Sequence, residues 1–78
     1  MTGIHLIVIE AEGILLDKTV SAVNLPGLAG RIEISPNHEP MIIDLKSGKI
    51  TFDQQELFMQ KSGMALVDSL SCKIIIYS

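Results

Sequence analysis

Leu25-Pro26-Gly27-Leu28-Ala29-Gly30-Arg31-Ile32-Glu33-Ile34-Ser35-Pro36-Asn37-His38-Glu39-Pro40 holds all three prolines of the chain and one of its two histidines. Each proline fixes its own φ and drives the residue before it toward an extended backbone. The stretch therefore reads as a pinned surface element between strand-like runs. An ordered loop that carries a histidine among charged residues suits recognition rather than catalysis.

Outward from it, the period stays at two or less. Ile4 to Ile9 reads as a strand apolar on both faces apart from His5. Ile14 to Leu16 and Val20 to Leu25 are strand-like, with a break expected at Asp17-Lys18. Ala29 to Ile34, Met41 to Leu45, Lys49 to Phe52, Glu56 to Gln60, Met64 to Val67 and Cys72 to Tyr77 complete the set. Leu45-Lys46-Ser47-Gly48-Lys49-Ile50 predicts a hairpin in which Gly48 takes positive φ. Asp53 to Glu56 and Asp68 to Ser71 are further polar tips. Gly63 beside Ser62 marks a bulge or a close backbone approach. No ten-residue stretch carries a 3.6 period. Many short strands joined by polar turns predict an all-β sandwich or barrel, formed as a single domain over residues 1–78.

Composition narrows the function. The chain has 78 residues, 47% of them apolar but only 4% aromatic. So small a domain buries only about 60% of its unfolded surface. A small domain with that aliphatic excess either packs unusually well or leaves apolar surface for a partner, and the second is the expectation. The six basic residues, Lys18, Arg31, Lys46, Lys49, Lys61 and Lys73, are scattered, and net charge is −3. No basic stripe is present to track a phosphate backbone, which argues against nucleic acid. A polybasic membrane patch is missing for the same reason. Cys72 stands alone and reads as a half-buried thiol in a reducing compartment. The first residues show no basic region leading into an apolar block, so no secretory signal is read.

The chemical candidates are weak. Cys72, the serines and the two histidines match no nucleophile–base signature, so no catalytic residue is assigned. One Cys and two distant His make a poor zinc set, and adjacent His38 and Glu39 point apart on an extended backbone. No metal or cofactor is expected. His5 reads as an ordinary strand residue. Gly27-Leu28-Ala29-Gly30 lacks the Gly-Lys-Ser/Thr ending of a phosphate loop. Asp17-Lys18 suggests an alternative, a lipoylated or biotinylated carrier domain with Lys18 at a hairpin tip. Lys18 comes too early in the chain for that. An unrelated β-sandwich interaction module is the other alternative.

The central stretch carries a resemblance. Val23-Asn24-Leu25-Pro26-Gly27, followed by Gly30-Arg31-Ile32-Glu33-Ile34-Ser35-Pro36-Asn37-His38-Glu39-Pro40-Met41, resembles the N-terminal domain of the ATP synthase epsilon subunit family (delta in mitochondria). Pro36, His38 and Pro40 match the family's Pro-x-His-x-Pro turn. Gly48-Lys49-Ile50, Phe58 and Ser62-Gly63 extend the likeness over nearly the whole chain. Arg31 stands where the family usually has Glu, and Glu33 where it has Gly. Asn37 replaces a Gly and tolerates a left-handed backbone.

The resemblance implies a ten-stranded (about 8–10) antiparallel β-sandwich of two sheets. The sandwich is expected without the family's C-terminal two-helix domain. It also implies a non-catalytic central-stalk subunit that clamps the gamma subunit to the c-ring and couples proton-driven rotation to ATP synthesis. Its place would be the cytoplasmic face of an energy-transducing membrane, held there only through the complex. Carried over by residue, Arg31, Asn37, His38 and Glu39 would face the c-ring. Ile7, Ile9, Met64 and Leu66 are candidates for the gamma side, with burial in the core as the competing view. His38 has a competing view too, that it only hydrogen-bonds within its turn.

Overall fold

Aliphatic residues alternating along almost the whole chain give strands, and the described residues form nothing but strands and connections. A computed structural model describes residues 3 to 77. Nine strands follow in order: β1 (Ile4–Glu10), β2 (Gly13–Val20), β3 (Val23–Gly27), β4 (Gly30–Ile34), β5 (Met41–Leu45), β6 (Gly48–Phe52), β7 (Gln55–Met59), β8 (Gly63–Val67) and β9 (Ser71–Ile76). The hydrogen-bonded path runs β2-β1-β9-β8-β5-β3-β6-β7, with β4 on the other edge of β3. β5 meets β3 only at Leu45 and Gly27. The path folds over at that point, so β2-β1-β9-β8-β5 form one layer and β4-β3-β6-β7 the other. The neighbouring ladders are antiparallel except β1 with β9, which run parallel and bring the two ends of the chain together.

The core lies between the layers. Leu6, Val8, Cys72, Ile74 and Ala65 from the first layer are fully buried against Leu25, Ile34, Ile50 and Met59 from the second. Alternation dictates this, because residues two apart on a strand share a face. Cys72 lies deeper than its sequence suggested, and burial pushes its thiol up to about 12, which leaves it a small hydrophobe with no thiolate at neutral pH.

Two local expectations are corrected. Leu45 to Ile50 is not a hairpin, because β5 pairs with β8 and β3 whereas β6 pairs with β3 and β7. The segment is the corner where the chain crosses between layers. Lys46 N–H donates to the Pro26 carbonyl at 2.9 Å and Leu28 N–H to the Asp44 carbonyl at 3.2 Å, tying the corner to the β3–β4 connection. Gly48 does take positive φ, 150°, as expected. The break at Asp17-Lys18 is also absent, for β2 runs unbroken to Val20 and the chain turns at Ser21-Ala22. Both polar residues have partners that keep them in the strand. Asp17 accepts from His5 Nε2 at 2.6 Å on the outer face. Lys18 points inward at the rim, its Nζ 5.7 Å from the Phe52 ring centroid and 3.0 Å from Gln55 Oε1. A lysine held mid-strand over a ring is not the free hairpin tip that a lipoyl or biotinyl carrier requires.

The β6–β7 hairpin closes on Asp53-Gln54, both at positive φ, 46° and 66°. That is the primed two-residue turn that matches strand twist, built here without the usual Gly. Asp53 offsets its strain by accepting from Ser21 N–H with both oxygens at 3.1 Å, and from Ser21 Oγ–H. The β2–β3 turn is thereby laced to the β6–β7 turn. The Ser21 hydroxyl first, then the Ser21 amide, hold the Asp53 carboxyl below the usual carboxylate range. A carboxylate whose pKa is lowered by folding stabilises above its unfolded pKa, near 3.8, and loses that contribution as pH falls through the folded value. Asp53→Asn should therefore melt at a lower temperature than the wild type at neutral pH. The gap should close as pH falls below 3.8 and the carboxylate takes up its proton in the folded state too. Melting curves at the two extremes check this, and a gap that persists in acid would remove the carboxylate as its cause.

Candidate functional site

The outer surfaces of the two layers differ in kind. In the first layer the register sets side chains in rows across five strands. Asp17, Ile7, Lys73, Leu66 and Ile42 form one row. Ile14, Ile9, Ile75, Met64 and Asp44 form the next. Cross-strand partners share a face, so these ten residues make one surface about 20 Å across. Seven of them are aliphatic or Met. Ile42 is 71% exposed and Ile14 63% exposed, while Ile7, Ile9, Ile75, Met64 and Leu66 are half-buried by their neighbours.

All four residues singled out for the gamma side, Ile7, Ile9, Met64 and Leu66, fall on this surface, and none is part of the core. The structure adds Ile14, Ile42 and Ile75. Their signal in the sequence is the unbroken apolar triplets Met41-Ile42-Ile43 and Ile74-Ile75-Ile76, which leave an apolar side chain on each face of a strand. At Ile14 a bulge opposite Val8-Ile9 re-aims the strand: Leu16 faces Val8, Ile14 faces Ile9, and Leu15 is the extra residue.

The second layer turns a polar surface outward. Glu33 lies opposite Asn24, Arg31 opposite Pro26, Glu56 opposite Thr51 and Phe58 opposite Lys49. Lys49 Nζ stands 3.5 Å from Glu56 Oε2, an exposed pair of small energetic worth. Arg31 spans this surface. Its Nε donates to Asn24 Oδ1 at 2.5 Å, Nη1 to the Lys49 carbonyl at 2.7 Å and Nη2 to the Asn24 carbonyl at 3.3 Å. The reason lies in the ladder. Asn24 pairs with Thr51, so the same register sets Lys49 opposite Pro26, which has no N–H to give. Arg31, adjacent to Pro26 on β4, supplies the missing donor from its side chain.

The Pro36–Pro40 segment caps one end of the sandwich. Asn37 adopts φ 66°, the left-handed backbone expected of the residue that replaces a Gly. Its N–H donates to the Ser69 carbonyl at 2.6 Å, and His5 N–H donates to the Leu70 carbonyl at 2.9 Å. The loop, the β8–β9 turn and the start of β1 are therefore one platform. Half-buried His38 sends Nδ1–H to the Glu39 carbonyl at 2.9 Å; a carbonyl only accepts, so this nitrogen carries the proton. The bond is the intra-turn one considered from the sequence, and it leaves Nε2 available. Asn37, His38 and Glu39 are together in this platform. Arg31 stands apart from them, about 10 Å along β4 from Ile34, and has two guanidinium N–H groups left over from its three bonds.

A shallow groove at the opposite end is lined by Glu10, Glu12, Leu15, Phe58, Lys61 and Tyr77 among others. Among the described residues no three His, Cys, Asp or Glu side chains gather where a metal would need them. No helix among them is long and apolar enough to cross a membrane.

Residues 3–78 match the model of the ATP synthase delta/epsilon chain β-sandwich domain. The ATP synthase epsilon chain of Gluconacetobacter diazotrophicus is 29% identical over 79 residues, covering 96% of this chain and 56% of its own length. That of Herpetosiphon aurantiacus is 32% identical over 68 residues, covering 87% of this chain and 45% of its own. The chain thus spans about half the length of these curated relatives. Among solved structures, a chain of the Euglena gracilis mitochondrial ATP synthase (OSCP/F1/c-ring) superposes with TM-score 0.86 at 17% identity, over 97% of this chain and 51% of that one. A chain of the Tetrahymena thermophila mitochondrial ATP synthase central stalk and c-ring gives 0.79 at 9% identity, over 96% and 63%. At such identities the superpositions speak for the fold.

Proposed function

Because this chain belongs to the ATP synthase delta/epsilon β-sandwich family, we propose that it works as a non-catalytic central-stalk subunit, clamping the gamma subunit to the c-ring so that proton-driven rotation reaches the catalytic head. The observation that carries this reading is the contrast between its two outer surfaces. One sheet faces outward with Ile7, Ile9, Ile14, Ile42, Met64, Leu66 and Ile75, and the other mainly with polar and charged side chains, the Lys49–Glu56 pair among them, beside one exposed aromatic, Phe58. A contact under torque must be broad and well packed, and the aliphatic surface has the character of a stable interface rather than of an ordinary wet one. Gamma covers that surface. The platform of Asn37, His38 and Glu39 faces the polar loops of the c-ring, with His38 Nε2 as an available polar atom and Arg31 contributing from the flank through its two remaining N–H groups. The chain reaches the membrane only through these partners.

The assemblies whose chains superpose on this one, an OSCP/F1/c-ring and a central stalk with c-ring, support this reading. The test is capture of the cognate gamma subunit by the tagged domain from a mixture of purified ATP synthase subunits. A stoichiometric complex that survives gel filtration is the expected result. A domain that stays monomeric beside gamma at micromolar concentration would end the proposal.

A further inference from the structure

Lys73 is the one cation on the aliphatic surface. It is exposed at the centre of its row, with Ile7 on one side, Leu66 on the other and Ile75 two residues along β9. Neither ion pair among the described residues involves it. Of the carboxylates around it, Asp17 and Asp44 stand two strands away on either side, about 10 Å off, and Asp68, just past β8 and two residues after Leu66, accepts from Ser69 N–H. Asp17 is already engaged by His5. Lys73 is thus an exposed ammonium group flanked by apolar side chains on three sides, with Ser71 two residues back along β9 on the fourth.

We propose that Lys73 is the polar anchor of this surface and that its occupant meets it with a carboxylate, an Asp or Glu, set among aliphatic side chains. The inference rests on the reading of gamma as that occupant and specifies the chemistry gamma must offer. A partner that covered these rows with apolar groups alone would strip Lys73 of water and leave a buried, unpaired charge. A carboxylate opposite it restores the lost hydrogen bonds. It also fixes register: aliphatic rows permit sliding, while one charge pair fixes a single position. For a stalk that transmits torque, resistance to slip is the quality that such a pair adds.

Lys73→Met separates the possibilities, because its sign depends on what lies opposite. Binding of purified cognate gamma is measured by calorimetry at low and high salt. A carboxylate opposite Lys73 predicts that Lys73→Met binds at least about tenfold more weakly than wild type, since gamma's own charge is left unpaired. Lys73→Glu should fall by a further order of magnitude or so through like-charge contact. An Asp/Glu→Lys scan of gamma should then find one position that restores binding to Lys73→Glu. If Lys73→Met binds as well as wild type or more tightly, nothing acidic faces Lys73 and the inference fails while the gamma assignment stands. If wild type itself does not bind gamma, the assignment fails and the inference with it. All three domains should melt alike, because the side chain is exposed, and that control shows that the affinities report the contact.

Discussion

Gly63→Ala will lower the melting temperature by roughly 12–24 °C, on the estimate that about 3 kcal/mol is lost and that each kcal/mol moves a domain of this size by about 4–8 °C. Gly63 opens β8 and is buried opposite Ile76 of β9. A methyl group there would run into the carbonyl oxygen of Ile75, a backbone atom inside the β9 ladder. Side chains can rotate out of a clash, but a paired carbonyl can move only if its strand moves. β9 is not free to do so, because it is bonded to β8 on one side and to β1 on the other. The Tyr77 N–H bond to the Ser62 carbonyl, 2.9 Å, holds the same spot from the chain end. Against a total stability of about 4–12 kcal/mol for a domain this size, the loss is large. Scanning calorimetry of both proteins checks it. A shift under about 4 °C would mean that β9 slides past the methyl group and that its central ladder is softer than its pairing implies.

Gly63 was legible because an isolated Gly inside a strand pattern signals close backbone approach. Asn37 was legible for a related reason, since a residue standing in a Gly position must tolerate positive φ. Strand existence was legible nearly everywhere, because a period of two in aliphatics has no other home. Pairing was not. Leu45 to Ile50 has the composition of a hairpin, yet Lys46 gives its N–H to Pro26 rather than to a strand opposite. Local turn chemistry cannot distinguish a hairpin from a corner between layers, since both need a Gly at positive φ. Nor did Asp17-Lys18 break its strand, because His5 and Phe52, distant in sequence, hold those side chains. The primed turn at Asp53-Gln54 lacked its usual Gly because Ser21, supplied by another turn, offsets the strain. Each miss is a long-range contact overriding a local rule. At the site, parity placed Ile7 and Ile9 opposite Leu6 and Val8 correctly. Only register could join them across β9 and β8 to Met64, Leu66 and Ile42, and show that Arg31 gives Lys49 the donor that Pro26, opposite it on β3, lacks.

That joined surface yields the second large effect. Leu66→Asp will leave the domain folded and abolish its capture of gamma, while Ile74→Asp will unfold it. The two residues belong to neighbouring strands and are both aliphatic, but Leu66 is half-buried on the outer surface and Ile74 is fully buried in the core. A carboxylate at 74 would sit between two layers with neither water nor a cation, and its desolvation exceeds what so small a domain can absorb. A carboxylate at 66 stays wet. It also lies directly opposite Lys73, which steadies it in the free domain by up to about 1 kcal/mol. The melting temperature of Leu66→Asp should therefore stay within a few degrees of wild type. Binding is a different matter. Gamma would lose the central aliphatic contact and meet an ion pair already closed on itself, with its own carboxylate facing another. Losses of 2 kcal/mol or more are typical where an anchor at the centre of an interface is removed, which is about thirtyfold or greater in affinity. Circular dichroism and the gamma capture assay, run on the same preparations, read the two effects separately. A folded Leu66→Asp that still holds gamma would show that the stalk grips some other face, and an unfolded one would return Leu66 to the core.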